Sequence, residues 1–345
     1  MERQIYRDAE SLTELRAEWN TLLAQSQVNT PFLTWEWQTT WWNNLGTGDL
    51  WVVTWRDQGE LVAIVPLYLT INAEGERQLD TIGCIEVSDY LDLIIAAGRE
   101  EEVFRAFLDW LLGPEAPDWD VLALCNLAQH SPSHRYLPEH AAARGLHAIT
   151  RLEDVCPVIQ LPEDWETYLQ TRLDKKQRHE IRRKKRKIQR EADVNWYVVD
   201  DTRALDAEID DFVRLHRLSA EAKEGFMTGE MEQFFRQIAR AMYDSGWLSL
   251  AFIEVNGDKA ASMLSLCYED RCLLYNSGYD PNRYRELSPG IVLTGLVIED
   301  AIDRGYSVFD FLQGDEVYKY RFGATDTAVY TTVIRRPEEK LTGSG

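Results

Sequence analysis

One segment of the 345-residue chain combines two arginines with a helix start in a way that suits an anionic ligand. Ser288 is a favourable N-cap, Pro289 fits the first helical position, and Gly290 leaves the backbone accessible. The free N–H groups there and the positive end of the helix dipole favour a phosphate or carboxylate. Arg283 and Arg285 precede the helix in the loop. The spacing therefore predicts an anion site, although S-P-G is also an ordinary way to begin a helix.

A second group of polar residues follows the predicted strand 307–312. After a turn at Gly314, these residues fall within seven positions: Asp315, Glu316, Tyr318, Lys319 and Arg321. Ligands of α/β proteins usually bind where strands end. Tyr318 or one of the carboxylates could move a proton, and Lys319 could hold a phosphate or a developing oxyanion. The structural alternative is a solvated turn followed by a short charged helix.

His216 is a further candidate for proton transfer, since it lies in a predicted helix beside Arg214 and Arg217. A partly buried polar residue is the alternative interpretation. The other five histidines lack the spacing of metal ligands, so we predict no metal site. The sequence also lacks G-x-S-x-G, G-x-x-x-x-G-K-[ST] and G-x-G-x-x-G, which disfavours a serine hydrolase, a P-loop NTPase and a Rossmann dehydrogenase.

Charge is distributed very unevenly along the chain. The net charge is −21, which argues against general binding to nucleic acid or to an anionic membrane. Residues 171–190, however, hold eleven Lys or Arg and two acidic residues, a net +9, so the other 325 residues carry −30. The pattern predicts one long basic helix over 163–191 with a narrow apolar stripe. Residues 172–190 could contact tRNA or another polyanion, or could pair with the acidic remainder as a linker.

The elements that must position these residues follow the same order in the two halves of the chain. Each half contains a hairpin, with turns D-Q-G-E (57–60) and N-G-D-K (256–259), followed by further strands and helices. We therefore predict an α/β protein built from two copies of one fold. The predicted domains are residues 1–160, a connecting basic helix over 161–192, and residues 193–345.

The cysteines and the hydropathy pattern suggest where the protein works. Five cysteines that are widely spaced and include no C-x-x-C pair predict reduced thiols and no disulfide framework. The N-terminus does not resemble a secretory signal, and no stretch approaches the ~20 apolar residues of a membrane span. These features predict a soluble cytoplasmic protein, while the oligomeric state stays open.

Several of these motifs together resemble a known family. They are L-H-R (215–217), G-F (225–226), Y-N-S-G-Y-D-P (275–281), L-S-P-G (287–290) and F-D-F-L-Q-G-D-E-V-Y-K-Y-R-F-G (309–323). This set resembles the acetyltransferase domain of the cellulose-biosynthesis CelD type, in the GNAT superfamily, which is related to the FemABX peptidyltransferases. The similarity covers roughly residues 160–335. It implies tandem GNAT folds, each a mixed twisted sheet flanked by helices.

The resemblance also implies a reaction and a set of roles. An acyl group, acetyl above all, would pass directly from acetyl-CoA to an amine or hydroxyl of an acceptor, either a small molecule or one related to the cell envelope or its polysaccharides. The pyrophosphate of CoA would bind Ser288, Pro289 and Gly290 with both loop arginines, and its pantetheine arm would run beside residues 274–278, which include Tyr275 and Ser277. Lys319 would bind the acceptor or the oxyanion.

Two other functions stay open at this point. Arg285 is followed by E-L-S-P-G and not by the Q/R-x-x-G-x-G/A loop common in GNAT enzymes, and the FemABX relatives take their acyl group from aminoacyl-tRNA. A ligase that uses aminoacyl-tRNA is therefore the first alternative. A non-catalytic adaptor that presents the basic helix to a partner is the second.

Overall fold

The computed structural model describes residues 1–84 and 87–337. The chain forms two compact units. Unit 1 contains Met1–Asp154 and the chain from Ala328 onward, and unit 2 contains Val155–Thr327. Strands β7 (His147–Gln160) and β13 (Thr325–Arg335) each include a boundary between the units.

Unit 1 is a mixed sheet with helices. Its elements are β1 (Glu2–Tyr6), α1 (Arg16–Leu23), α2 (Trp35–Leu45), β2 (Asp49–Asp57), β3 (Glu60–Ile71), β4 (Arg77–Thr81), β5 (Ile94–Ile95), α3 (Glu100–Leu111), β6 (Val121–Ala128) and α4 (Pro132–Ala142). Strands β1 to β4 pair antiparallel in sequence order, β4 pairs parallel with β6, and β6 pairs antiparallel with β13. The buried face of α3, with Phe104 and Phe107, packs into the core of this sheet.

Unit 2 repeats this arrangement. Its elements are α5 (Trp165–Thr171), α6 (Lys175–Glu191), β8 (Val194–Val198), α7 (Leu205–Ser219), α8 (Glu221–Phe226), α9 (Gly229–Asp244), β9 (Leu248–Val255), β10 (Asp258–Tyr268), β11 (Arg271–Tyr279), α10 (Pro289–Asp303), β12 (Val308–Asp310) and α11 (Val317–Tyr320). Strands β8 to β11 pair antiparallel in sequence order, β11 pairs parallel with β12, and β12 pairs antiparallel with β7. The apolar helix α10 packs on this sheet.

Both predicted hairpins are present, and both turn in the same way. The two central residues have positive φ in each turn: Gln58 at 50° and Gly59 at 88° in β2–β3, and Asn256 at 53° and Gly257 at 82° in β9–β10. Two-residue turns of this kind match the twist of the strands that they join. Each unit then continues with a parallel pair of strands separated by a helix, so the prediction of a repeated α/β arrangement holds.

The basic segment differs from the prediction. It is not one helix over 163–191, because α5 ends at Thr171 and α6 begins at Lys175. Asp174 starts α6 with a capping box, in which its carboxylate accepts from the Gln177 backbone and the Gln177 side chain accepts from the Asp174 backbone. Nor does α6 stand apart as a connector: Ile188 is buried in the core of unit 2 and Lys185 pairs with Glu299 of α10 at 2.6 Å. The boundaries of the compact units accordingly differ from the predicted borders at 160 and 192.

The prediction of five reduced thiols is wrong for two of them. Cys84 and Cys125 form a disulfide with their Cα atoms 5.9 Å apart, a separation typical of disulfides. Their sequence separation of 41 concealed that the end of β4 and strand β6 are neighbours. Cys156, Cys267 and Cys272 are buried and form no disulfide among the described residues. Among the described helices, none combines the length and the apolar composition needed to cross a membrane.

Candidate functional site

The candidate site of unit 2 lies where two parallel strands separate. Strand β11 pairs with β12 only through Arg271–Leu273, because β12 ends at Asp310 while β11 runs on to Tyr279. The remaining residues of β11, 274–279, therefore extend beyond their neighbour on that side. We call this stretch the open edge of β11.

A β-bulge marks the beginning of the open edge. On β10, Leu264 is opposite Asn276 and Ser265 is opposite Leu274, so Tyr275 is an extra residue in β11. A bulge bends the strand and redirects the groups next to it. The ring of Tyr275 stacks on the ring of Phe235 in α9, with 5.5 Å between the ring centroids. The side chain of Tyr275 is therefore directed into unit 2.

Helix α7 lies directly against the open edge. A Cβ atom at Gly278 would be 2.3 Å from the backbone nitrogen of His216, so only glycine allows this approach. The imidazole of His216 is buried among Phe212, Phe226 and Phe235, and Asn276 is its hydrogen-bonding neighbour. Its Nδ1 finds no partner among the described residues. The structure thus brings His216 to the open edge.

The electrostatic environment keeps His216 uncharged. Burial, and then the nearby positive charge of Lys223, lower its pKa to about 4. Lys223 belongs to α8, and its Nζ donates to the carbonyl oxygen of Ser277 at 2.6 Å. Burial lowers the pKa of Lys223 as well, while the carboxylate of Glu316 opposes that shift.

The residues after β12 form a tight loop around Lys319. The Nζ of Lys319 donates to the carbonyl oxygens of three residues: Leu312 at 3.1 Å, Gln313 at 2.7 Å and Gly314 at 2.9 Å. It also pairs with Glu316 at 2.9 Å. Lys319 is buried, so in this arrangement its ammonium holds the loop and has no N–H group left for a ligand.

The other residues predicted near Lys319 occupy different environments. Asp315 is exposed at the turn. Tyr318 packs edge-on against Phe311, and burial raises the pKa of its hydroxyl. Glu316 is exposed, and its carboxylate attracts both Lys319 and Lys223. Of this group, Glu316 is the one that links the loop to the open edge.

The predicted anion site at the start of α10 receives cations that the sequence reasoning did not assign to it. Lys184 of α6 donates to Oγ of Ser288 at 2.7 Å, and Lys187 donates to the carbonyl oxygen of Glu286 at 2.7 Å. In the part of the chain that the structure describes, no side chain caps α10, so the N–H groups of Gly290 and Ile291, which precede the first helical hydrogen bond, are not used by a cap. A signal was present in the sequence, since Lys184 lies between Ile181 and Ile188 at helical spacing.

The backbone of this loop is strained, and one predicted ligand points elsewhere. Tyr284 and Ser288 both have left-handed conformations, with φ of 58° and 52°, which non-glycine residues rarely adopt outside turns and functional sites. Arg283 pairs with Asp258 at 2.6 Å, and the hydroxyl of Tyr284 donates to the same carboxylate at 2.7 Å. The hydrogen bond from Tyr284 lowers the pKa of Asp258 most, and the charge of Arg283 lowers it further. Arg285 is exposed in the loop.

Comparison with known proteins agrees with this architecture. Residues 175–320 match the family described as acetyltransferase (GNAT) domain, and no curated protein sequence matches the chain. The solved structure of FemX is similar, with 9% identity, 96% of this chain and 97% of that chain covered, and a TM-score of 0.65.

Two further solved structures have the same fold. One is a tandem GNAT protein from the clavulanic acid biosynthesis pathway, with 13% identity, 98% of this chain and 100% of that chain covered, and a TM-score of 0.52. The other is the C-terminal domain of a putative lysylphosphatidylglycerol synthetase from Agrobacterium fabrum, with 13% identity, coverage of 94% and 92%, and a TM-score of 0.57. The predicted tandem GNAT architecture is confirmed. Within the described residues, no group of three His, Cys, Asp or Glu side chains could hold a metal ion.

Proposed function

We propose, from the match of residues 175–320 to the acetyltransferase (GNAT) domain family, that the protein transfers an acyl group from acyl-CoA to an amine or hydroxyl acceptor. Acetyl-CoA is the proposed donor. The acceptor attacks the thioester directly while both substrates are bound, so the protein contributes orientation, removal of a proton and stabilisation of the oxyanion. Its acceptor is a small molecule or a component related to the cell envelope.

One observation carries this proposal: two lysines of α6 reach the start of α10 beside the open edge of β11. Lys184 and Lys187 lie at Ser288 and Glu286, next to the free N–H groups of the first helical turn. Two cations, a helix N-terminus and a small residue at Gly290 suit the two adjacent phosphates of CoA. Arg285 is close enough in sequence to join them, whereas Arg283 keeps its pair with Asp258.

The remaining parts of the donor follow from this placement. From the start of α10, the pantetheine arm would extend along the open edge of β11, past Ser277 and Tyr275, and bring the thioester to the bulge. At the bulge His216, uncharged above pH 5 because its pKa is about 4, could remove the proton from the attacking amine or hydroxyl, with Tyr318, Asp315 and Glu316 as other candidates.

Acyl-CoA is a cytoplasmic metabolite, so the proposed reaction takes place in the cytoplasm.

The orientation of side chains on α6 provides a matched test. The double variant K184A/K187A removes two cations that face α10, and R183A/R186A removes two exposed cations from the same helix. Calorimetry with acetyl-CoA should detect binding by the wild-type protein and by R183A/R186A. We expect K184A/K187A to bind at least tenfold more weakly, because charge-assisted hydrogen bonds to phosphate are lost. Equal affinity in both variants would contradict the proposed site.

A second candidate donor is aminoacyl-tRNA. The outer face of α6 favours it, since Lys175, Lys176 and Arg186 are exposed and have no acidic partner among the described residues. The fold similarity to FemX is compatible with it but concerns the fold alone. The same variants separate the two donors. Binding of charged tRNA that R183A/R186A abolishes, with no heat from acetyl-CoA, would favour the ligase.

A further inference from the structure

Lys223 contacts the open edge of β11 directly, although nothing in its sequence surroundings draws attention to it. It lies in α8, and its Nζ donates to the carbonyl oxygen of Ser277 at 2.6 Å. Ser277 is two residues beyond the bulge at Tyr275, within the stretch that extends past β12. The ammonium group therefore stands at the edge where the strands separate.

The two lysines of this region differ in how many of their N–H donors are in use. An ammonium group has three donors. Lys319 directs its donors to three backbone carbonyls and Glu316, and it is buried beneath the loop. Lys223 makes one hydrogen bond, to Ser277, among the described residues. Lys223 can therefore donate a hydrogen bond to a ligand and keep its bond to Ser277. Lys319 would first have to give up one of its existing hydrogen bonds.

The surroundings of Lys223 suit the stabilisation of an oxyanion, that is, of a substrate oxygen atom that gains negative charge during the reaction. The rings of Phe226, in α8, and Phe235 pack against His216 and against each other, so one side of α8 is apolar. Glu316, in the loop after β12, is the negative charge that acts on Lys223 and raises its pKa against the effect of burial. A cation in a poorly solvated site interacts much more strongly with a developing oxyanion than it would in water.

We propose that Lys223 is a catalytic residue that donates a hydrogen bond to the carbonyl oxygen of the acyl donor. This inference rests on the proposed acyl transfer. The acceptor's lone pair forms a bond to the carbonyl carbon, and the C=O π electrons move to the oxygen beside Lys223. When this oxyanion collapses, the C–S bond breaks and its electron pair goes to the sulfur of CoA. The proton lost by the acceptor passes to a base or to water, and the thiolate of CoA is released.

The test compares binding with turnover in the full-length protein. Acetyl-CoA is the donor and hydroxylamine the surrogate acceptor, and the CoA thiol released above the uncatalysed rate is measured. We expect K223M to bind acetyl-CoA within about threefold of the wild-type affinity but to turn over roughly 100-fold or more slowly, the usual effect of removing one oxyanion donor. K223R, which keeps the charge and N–H donors, should recover part of the rate.

Two controls separate a catalytic effect from a structural one. R203M removes an exposed cation of unit 2, 91% accessible, and should change neither binding nor turnover. K319M should lower the melting temperature, because it leaves three loop carbonyls without their donor, whereas K223M should melt within about 2 °C of the wild type.

Each outcome has a distinct meaning. Wild-type turnover in a folded K223M protein would overturn the role of Lys223 and leave the proposed acyl transfer intact. A K223M protein that melts as early as K319M, with no recovery in K223R, would show a structural role and overturn it too. Absence of acetyl-CoA binding in the wild-type protein would instead contradict the proposed function, and with it an oxyanion role toward this donor.

Discussion

His216 links the chemistry of the site to the stability of unit 2. The imidazole is 1% exposed, surrounded by aromatic rings, and repelled by Lys223 and Arg217 when it carries a proton. Its pKa of about 4 is far below the usual value near 6.5. At neutral pH the imidazole is therefore unprotonated and can accept a proton, but it is a weaker base than a histidine whose pKa lies near 7.

The lowered pKa of His216 predicts a specific pH dependence of unfolding. Between pH 6.5 and 4 the unfolded chain binds a proton at this residue and the folded protein does not, so acid favours unfolding. The contribution is complete above pH 6.5 and is lost as the pH falls toward 4. We expect the wild type to lose roughly 2–3 kcal/mol more than H216Q between pH 7.5 and 4.5, from about 1.4 kcal/mol for each pKa unit. Urea unfolding of both proteins measures this difference, and parallel curves would contradict it.

The directions of the side chains at the site depend on packing that the sequence does not show. Lys319 stood out because it follows a strand end within a dense polar motif, but its direction depends on how the loop closes over it. Conversely, Lys184 and Lys187 were recognised only as members of a basic run. Their contacts with α10 depend on which face of α6 packs inward, and the stripe formed by Ile181 and Ile188 gave a partial indication of that face.

At the scale of elements, the contact between α7 and β11 positions the site. These elements approach so closely at Gly278 that a Cβ atom would lie 2.3 Å from a backbone nitrogen and 2.5 Å from a backbone carbonyl carbon of α7. Backbone atoms cannot move aside as a flexible side chain can. The approach places His216 beside Asn276, and α8, which follows α7, places Lys223 at the same edge.

The variant G278A should therefore separate α7 from β11. We expect a loss of about 1–3 kcal/mol in the free energy of unfolding, the usual range for overpacking, together with weaker acetyl-CoA turnover. The matched control is G225A in α8, where no atom lies within 4 Å of the added methyl group and alanine favours the helix. Chemical denaturation of both variants checks this. Equal stability of G278A and G225A would show that the contact is not under steric constraint.

Elements governed by local rules were predicted well, with one exception. The two hairpins follow from turn residues that tolerate positive φ, and the start of α10 follows from S-P-G. The break between α5 and α6 was missed although Asp174 and Gln177 form a capping box there. Charged residues on both sides of the break hid this short capping signal within one continuous basic pattern.

At the scale of the whole molecule, the two units repeat one order of elements but differ at the equivalent helix start. In unit 1, α3 begins with Glu100, Glu101 and Glu102, which would repel an anion from the positive end of the helix. In unit 2, α10 has no acidic residue in its first turn and receives Lys184 from α6. The basic segment of an otherwise acidic chain thus lies at this helix start in unit 2, whereas the equivalent helix start in unit 1 is acidic in its first turn.

The disulfide of unit 1 yields a prediction that joins stability to cellular location. Cys84–Cys125 closes a long loop, and the entropy it removes from the unfolded chain corresponds to about 4 kcal/mol. Reduction by dithiothreitol should lower the melting temperature of the wild type, and C84S/C125S should melt at the lower temperature with or without the reductant. A melting temperature that stays constant while the number of titratable thiols rises from three to five would contradict this stabilising role.

The same disulfide tests the proposed cellular location, because the Cys84–Cys125 pair should be reduced in a reducing cytoplasm. Alkylation of cells lysed directly into denaturant, which also exposes the buried thiols, should then label all five cysteines, and labelling of only three would contradict the proposed cytoplasmic location.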